Sequence, residues 1–191
     1  MTQKVIKSNK KALKRKTKKL ITPVNIGTDH IRGSIDAPIS IVEYGDYECP
    51  YTGMAYPIVK EILKQFDTKV YFVFRNFPLN DIHPNAQHSA EAAEAASAQD
   101  KFWEMHDYLF EHQNALDDSH LLQYAQKLRL DTNKFKNEMS GHTYAPLVEE
   151  SLKSGIDSGV QGTPTFFVNG EHYEDSWDLE TFSNFLKNLN K

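Results

Sequence analysis

Cys49 is the single cysteine of the chain, and the residues around it suit a reactive thiol. Pro50 follows it directly, and from Met54 onwards Ile58, Val59, Ile62, Leu63 and Phe66 recur at helical spacing. Proline is well placed at the first helical position, where its missing N–H would have had no partner. Cys49 is therefore expected at a helix N-terminus, where unpaired N–H groups and the helix dipole favour negative charge, and the thiolate is the nucleophilic form of cysteine. Glu43 lies six residues upstream within an apolar run, where a carboxylate is costly unless it has a partner or a task. Much further along, Thr163-Pro164 immediately precedes the apolar run Thr165-Phe166-Phe167-Val168. A lone cysteine is more often a small buried hydrophobe; the helix start and the strand before it favour a nucleophile.

These residues need a frame. Ile39, Ile41, Val42 and Tyr44 form a short β-branched and aromatic run that reads as a buried strand, broken by Gly45 and Asp46 before the helix. Val70 to Phe74 is a nearly continuous apolar run and reads as a second central strand, closed by Arg75, which is expected to reach solvent from the strand end. Val24 to Pro38 reads as an edge strand or loop, and Asn76 to Asn85 as a turn-rich link. From Ala86 to about His112 the pattern is one long or broken helix. Ser119 to Leu128, Asn133 to Met139 and Tyr144 to Ser158 continue the helical block, with Asp131 and Thr132 as start signals and Gly141 as a stop. Thr165 to Val168, the turn Asn169-Gly170 and Glu171 to Tyr173 read as a hairpin. Leu179, Phe182, Phe185, Leu186 and Leu189 mark a closing amphipathic helix.

The segments V-E-Y-G-D-Y-E-C-P-Y, R-N-F-P-L, H-P-N-A, K-F-W-E-M-H-D-Y-L-F and G-T-P-T-F-F-V-N-G occur in this order from about Asp29 to the C-terminus. Together they resemble the DsbA-like thiol-disulfide oxidoreductases. The resemblance implies an α/β thioredoxin-like fold with an inserted α-helical subdomain, about residues 84–158, lying across the active-site face. It implies that Pro164 is cis, packs beside the nucleophile and presents Thr163 as a backbone edge for an extended substrate, with Pro50 and Tyr51 also at the substrate surface. It implies a proton-transfer role for Glu43. One departure stands out: the usual C-P-Y-C reads C-P-Y-T, so Thr52 occupies the place of the second, resolving cysteine. An internal disulfide cannot form, and the remaining chemistry is monothiol exchange resolved by an external thiol such as glutathione. Thr52, one turn into the helix, is a candidate hydrogen-bond donor to the thiolate. Asp46 and Glu48 oppose that charge unless they turn towards water.

Composition bounds the rest. The net charge of −4 conceals an asymmetry: residues 1–20 hold nine Lys or Arg and no acid, while residues 21–191 hold 13 basic and 26 acidic side chains. Residues 1–22 read as a basic, disordered tail able to contact an acidic partner or surface, and residues 23–191 as the folded domain. The apolar stretch after the basic run is too short and broken for a signal peptide, and no run of ~18 apolar residues marks a membrane span. A cytoplasmic location is expected, where a protein without disulfides is at ease. The eight histidines show no ligand spacing, so no metal is expected. His83 reads as a helix-entry or turn residue, and Phe102, Trp103 and Phe110 as core. Three functions stay open: a monothiol oxidoreductase or protein disulfide isomerase acting on protein or peptide thiols and disulfides, a glutathione-dependent enzyme of the same fold with glutathione as cosubstrate and no bound cofactor, and a non-catalytic peptide-binding module.

Overall fold

The computed structural model describes residues 18–189. Most of the basic segment therefore lies outside the described residues. Its last part does not: Lys18 to Thr22, assigned by composition to the tail, lies against the domain. Lys19 bridges Glu171, Leu20 N–H donates to Gly170 O at 2.9 Å, and Ile21 N–H donates to Ser158 Oγ at 3.0 Å.

Among the described residues five strands form one sheet, β1 (His30–Arg32), β2 (Ile39–Gly45), β3 (Val70–Asn76), β4 (Thr165–Val168) and β5 (Glu171–His172), in the order β1-β3-β2-β4-β5. The two central strands β2 and β3 are parallel, with Ile39 opposite Val70 and Gly45 opposite Asn76; the other pairs are antiparallel. Because alternate residues of a strand face opposite sides, Ile39 and Ile41 face one core with Phe72 and Phe74, while Val42 and Tyr44 face another with Val73 and Phe167. Burial on both faces explains why these strands read as apolar runs rather than alternating ones.

Helix α1 (Pro50–Phe66) connects the parallel pair and lines the first core through Ala55, Val59, Ile62 and Phe66. Closing helix α7 (Leu179–Leu189) packs beside it; burying Phe182 and Leu186 there contributes roughly 1.5–3 kcal/mol each. The chain between β3 and β4 forms five helices: α2 (Ala86–Ser97), α3 (Phe102–Glu111), α4 (Asp118–Lys127), α5 (Thr132–Ser140) and α6 (Ala145–Asp157). The pattern expected as one long or broken helix is broken, at Asp100, where φ is 59°. Asp131 caps α5 through the backbone N–H groups of Asn133 and Lys134, the signal that its position in the sequence supplies. At the β4–β5 hairpin, Asn169 and Gly170 both take positive φ, 49° and 78°, as a two-residue turn matched to strand twist requires.

The expectation for Arg75 fails. Instead of reaching solvent it is 6% exposed, forming an ion pair with Asp29 at 2.8 Å. Its guanidinium also donates to the Thr22 and Pro23 carbonyls and to Tyr44 Oη. It thus clamps the segment before β1 onto the end of β3.

Candidate active site

Strand pairing assembles the site. Parallel β2 and β3 end side by side, and Tyr44 of β2 faces Thr165, the first residue of β4. Whatever precedes β4 is thereby carried to the end of β2 where the loop to α1 begins. The Thr163–Pro164 peptide is cis, and the Cys49 thiol donates to the Thr163 carbonyl at 3.3 Å. Cys49 is the N-cap of α1 with extended backbone (φ −71°, ψ 121°), Pro50 opens the helix, and no side chain caps it. The arrangement places the sulfur at the positive end of the helix dipole. Tyr51 is 64% exposed and Pro50 is exposed beside it. Cys49 itself is only 3% exposed.

Thr52 is fully buried, and its Oγ1 accepts from the Asp46 N–H at 3.5 Å. Among the described residues its hydroxyl makes no hydrogen bond to the sulfur, contrary to the expectation. It is packed under the loop with Gly45, where any side chain would meet the Phe74 ring. Glu43 projects from β2 into the core on the α1 side. It is 3% exposed, its Oε1 has no hydrogen-bond partner, and burial pushes its pKa up to about 8. It shares a small internal cavity with His106, Tyr56 and Lys60. His106, enclosed by Tyr47, Phe74, Trp103 and Phe110, is held well below the usual imidazole range by burial, with the positive charge of Arg32 adding to it. Both groups are therefore neutral near pH 7.

The two acids flanking Cys49 do not turn to water. Asp46 is buried and accepts from Glu48 N–H at 2.8 Å and Leu79 N–H at 2.9 Å, with His83 Nδ1 at 2.7 Å. Glu48 accepts from the backbone and side-chain amides of Asn85 at 2.6 and 2.9 Å. Their charges are directed away into the link between β3 and α2, and His83, read from the sequence as a helix-entry or turn residue, is the ring beside Asp46. Gln113, after α3, was not marked by any motif, yet its Nε2 donates to the carbonyls of Tyr47 at 2.7 Å and Cys49 at 3.0 Å. Gly53 leaves it room, since a Cβ there would run into the Gln113 amide. Among the described residues no group of three His, Cys, Asp or Glu side chains is placed to hold a metal, and no helix is long and apolar enough to cross a membrane.

A family model described as thioredoxin matches residues 25–188. Similar curated proteins include the Na(+)/H(+) antiporter NhaA 1 of Salinispora arenicola, 47% identical over 164 residues that make up 86% of this chain and 25% of that protein. The Na(+)/H(+) antiporter NhaA 1 of Mycobacterium sp. (strain KMS) is 40% identical over 170 residues, 88% of this chain and 28% of the relative. The chain thus spans about a quarter of the length of the curated relatives it matches. Among solved structures, oxidised BdbD of Bacillus subtilis superposes with a TM-score of 0.78 at 24% identity, covering 90% of this chain and 96% of that one. The thiol-disulfide exchange protein alpha-DsbA2 of Wolbachia pipientis gives 0.74 at 19% identity, over 85% and 87%. The fold is thus one shared with known structures, and the chain belongs to the thioredoxin family, with the architecture of its DsbA-like members.

Proposed function

We propose that this domain carries out thiol–disulfide exchange through Cys49 alone. The observation that supports the reading best is the sulfur at the head of α1, 3.3 Å from the Thr163 carbonyl beside Pro164. A thiolate there attacks one sulfur of a protein or peptide disulfide. The new S–S bond joins Cys49 to that half, and the other half leaves as a thiolate that takes up a proton. A second thiol, of the substrate or of glutathione as cosubstrate, then attacks the mixed disulfide and releases Cys49. No net oxidation results from such a cycle without an external disulfide, so it suits isomerisation or thiol transfer better than oxidation. Thr163 offers its backbone edge to an extended substrate, with Pro50 and Tyr51 forming the exposed lip. Glu43, neutral up to about pH 8, serves as a buried proton store for the exchanging sulfur. Thr52 supports the loop and holds no electrons to return. A reducing compartment such as the cytoplasm fits a single thiol, and the basic N-terminal segment fits an acidic partner or surface.

One observation favours a second reading, a non-catalytic module that grips peptides at the Thr163–Pro164 edge: the thiol is only 3% exposed. Mass spectrometry after incubation with oxidised glutathione separates the two. A single adduct on Cys49, absent in Cys49→Ser, supports exchange, and an inert thiol in the folded protein that reacts once unfolded supports the binding module. Thr52→Cys restores the two-cysteine spacing and should form an internal disulfide that oxidises reduced protein substrates.

A further inference from the structure

Two histidines from different elements meet within the helical block. His88 of α2 and His142, just after α5, have ring centroids 5.3 Å apart. Both line one cleft of about 440 Å³, together with Leu122, Lys136 and Met139. Their side chains are 38% and 54% exposed, so the cleft opens both rings to solvent.

Each ring is held by a carboxylate at the same atom. His88 Nδ1 lies 2.6 Å from Asp118, and His142 Nδ1 lies 3.2 Å from the buried Glu91. A carboxylate accepts, so Nδ1 carries the hydrogen and the neutral ring keeps its lone pair on Nε2. Among the described residues neither Nε2 makes a hydrogen bond. Metal-ligating histidines have this arrangement, the second nitrogen donating to a carboxylate that fixes tautomer and ring orientation. His120 on Asp117 shows the same pairing at the surface. What sets His88 and His142 apart is that two such rings adjoin and share one cleft.

The spacing suits a single ion. With a metal–nitrogen bond of ~2.0–2.1 Å, an ion on Nε2 lies about 3.2 Å from the ring centroid. Two rings 5.3 Å apart that converge on one ion would meet it at about 110°, which fits trigonal or tetrahedral coordination. No third His, Cys, Asp or Glu side chain among the described residues completes the set. The soft donor in the cleft is the thioether of Met139, one turn before His142, whose N–H donates to Met139 O at 3.2 Å. Zinc takes cysteine, histidine and carboxylate ligands, whereas a thioether selects copper(I).

We propose that His88 Nε2, His142 Nε2 and Met139 Sδ bind one copper(I) ion, with Asp118 and Glu91 balancing its charge through the rings. Lys136 on the rim is exposed and long enough to keep its ammonium in water. The ion is held without electron transfer, and the site goes beyond exchange at Cys49 without depending on it.

The test uses the full-length, isotope-labelled Cys49→Ser protein, which lacks the competing thiolate. Silver(I), a redox-inert stand-in for copper(I), is titrated while histidine ring and methionine methyl resonances are followed by NMR. The His88, His142 and Met139 signals should move together and level off at one equivalent, whereas zinc should bind at least about tenfold more weakly. Copper(I) affinity is then measured anaerobically by competition with bicinchoninate. Met139→Leu conserves volume, and in His142→Asn the new residue tolerates the positive φ of 49°. Each should weaken copper(I) about tenfold or more at an unchanged melting temperature. Uptake at other histidines, zinc held as tightly as silver, or unchanged copper(I) binding by Met139→Leu would overturn the proposal.

Discussion

Glu43 and His106 are two buried ionisable groups that affect stability in opposite directions along the pH scale. Glu43 has its folded pKa raised from 4.5 to about 8. Between those values the unfolded chain releases a proton that the folded chain retains, so stability falls as pH rises through this window and is lowest above it. His106 is depressed below 6.5 by burial, so the unfolded chain gains a proton first as pH falls, and stability is lost on the acid side. We predict that Glu43→Gln abolishes most of the fall in melting temperature between pH 5 and pH 8 while leaving the acid limb in place. Thermal melts of both proteins across pH 4–9 check this. If Glu43 is also the proton store for Cys49, the same variant flattens the pH dependence of glutathione adduct formation.

At the scale of the element, two connections are each held by a single side chain, one remote from the thiol and one beside it. Arg75 fastens the segment before β1, and removing it leaves the Asp29 carboxylate, with its oxygens 2.8 and 2.9 Å from the guanidinium, without a charge partner. Breaking a buried pair from one side costs about 3–5 kcal/mol. Arg75→Met should therefore lower the denaturant midpoint by that equivalent, with little change in Cys49 chemistry, since the clamp lies on the far side of β2 from α1. Gln113 binds the loop before α1 instead. Gln113→Ala frees the Tyr47 and Cys49 carbonyls at a cost of roughly 1 kcal/mol and loosens the loop that carries the sulfur. The expected outcome is faster alkylation of Cys49 by iodoacetamide, followed by mass, with the melting temperature lowered by about 2–4 °C.

For the whole molecule the question is where the folded domain starts. Composition puts residues 18–22 in the tail, whereas their contacts with β5, the end of α6 and Arg75 put them on the folded domain. Deleting residues 1–17, too polar to contribute to a core, should leave the melting temperature within a degree or two. Deleting residues 1–22 strips the partner from the β5 edge and one carbonyl from Arg75. It should lower the melting temperature by several degrees, about 1–2 kcal/mol for lost hydrogen bonds. Equal melting temperatures for the two truncations would show that this contact carries no stability.

The sequence by itself determined the parts of the protein whose information is local. The run Ile39 to Tyr44, the break at Gly45-Asp46 and Pro50 after Cys49 specify strand, loop and helix because periodicity, turn residues and proline's missing N–H act within a few positions. Asp131 as a cap and Asn169-Gly170 as a hairpin turn are legible for the same reason. The resemblance carried by the motifs extended this to Thr163-Pro164, which the pairing of Tyr44 with Thr165 does bring to the thiol. Tertiary structure alone decided the partners of isolated polar side chains. An arginine at a strand end reads identically whether it meets water or an aspartate 46 positions earlier, and Gln113 in its loop has no pattern to mark it. Asp46 and His83 are 37 residues apart, and nothing local announces that one will bury its charge against the other. The depth of Cys49 also lay beyond the sequence. Exposure is set by every segment that folds over the sulfur, among them the chain before β4, whose Thr163 carbonyl lies 3.3 Å away, and that segment meets it only when the sheet has formed.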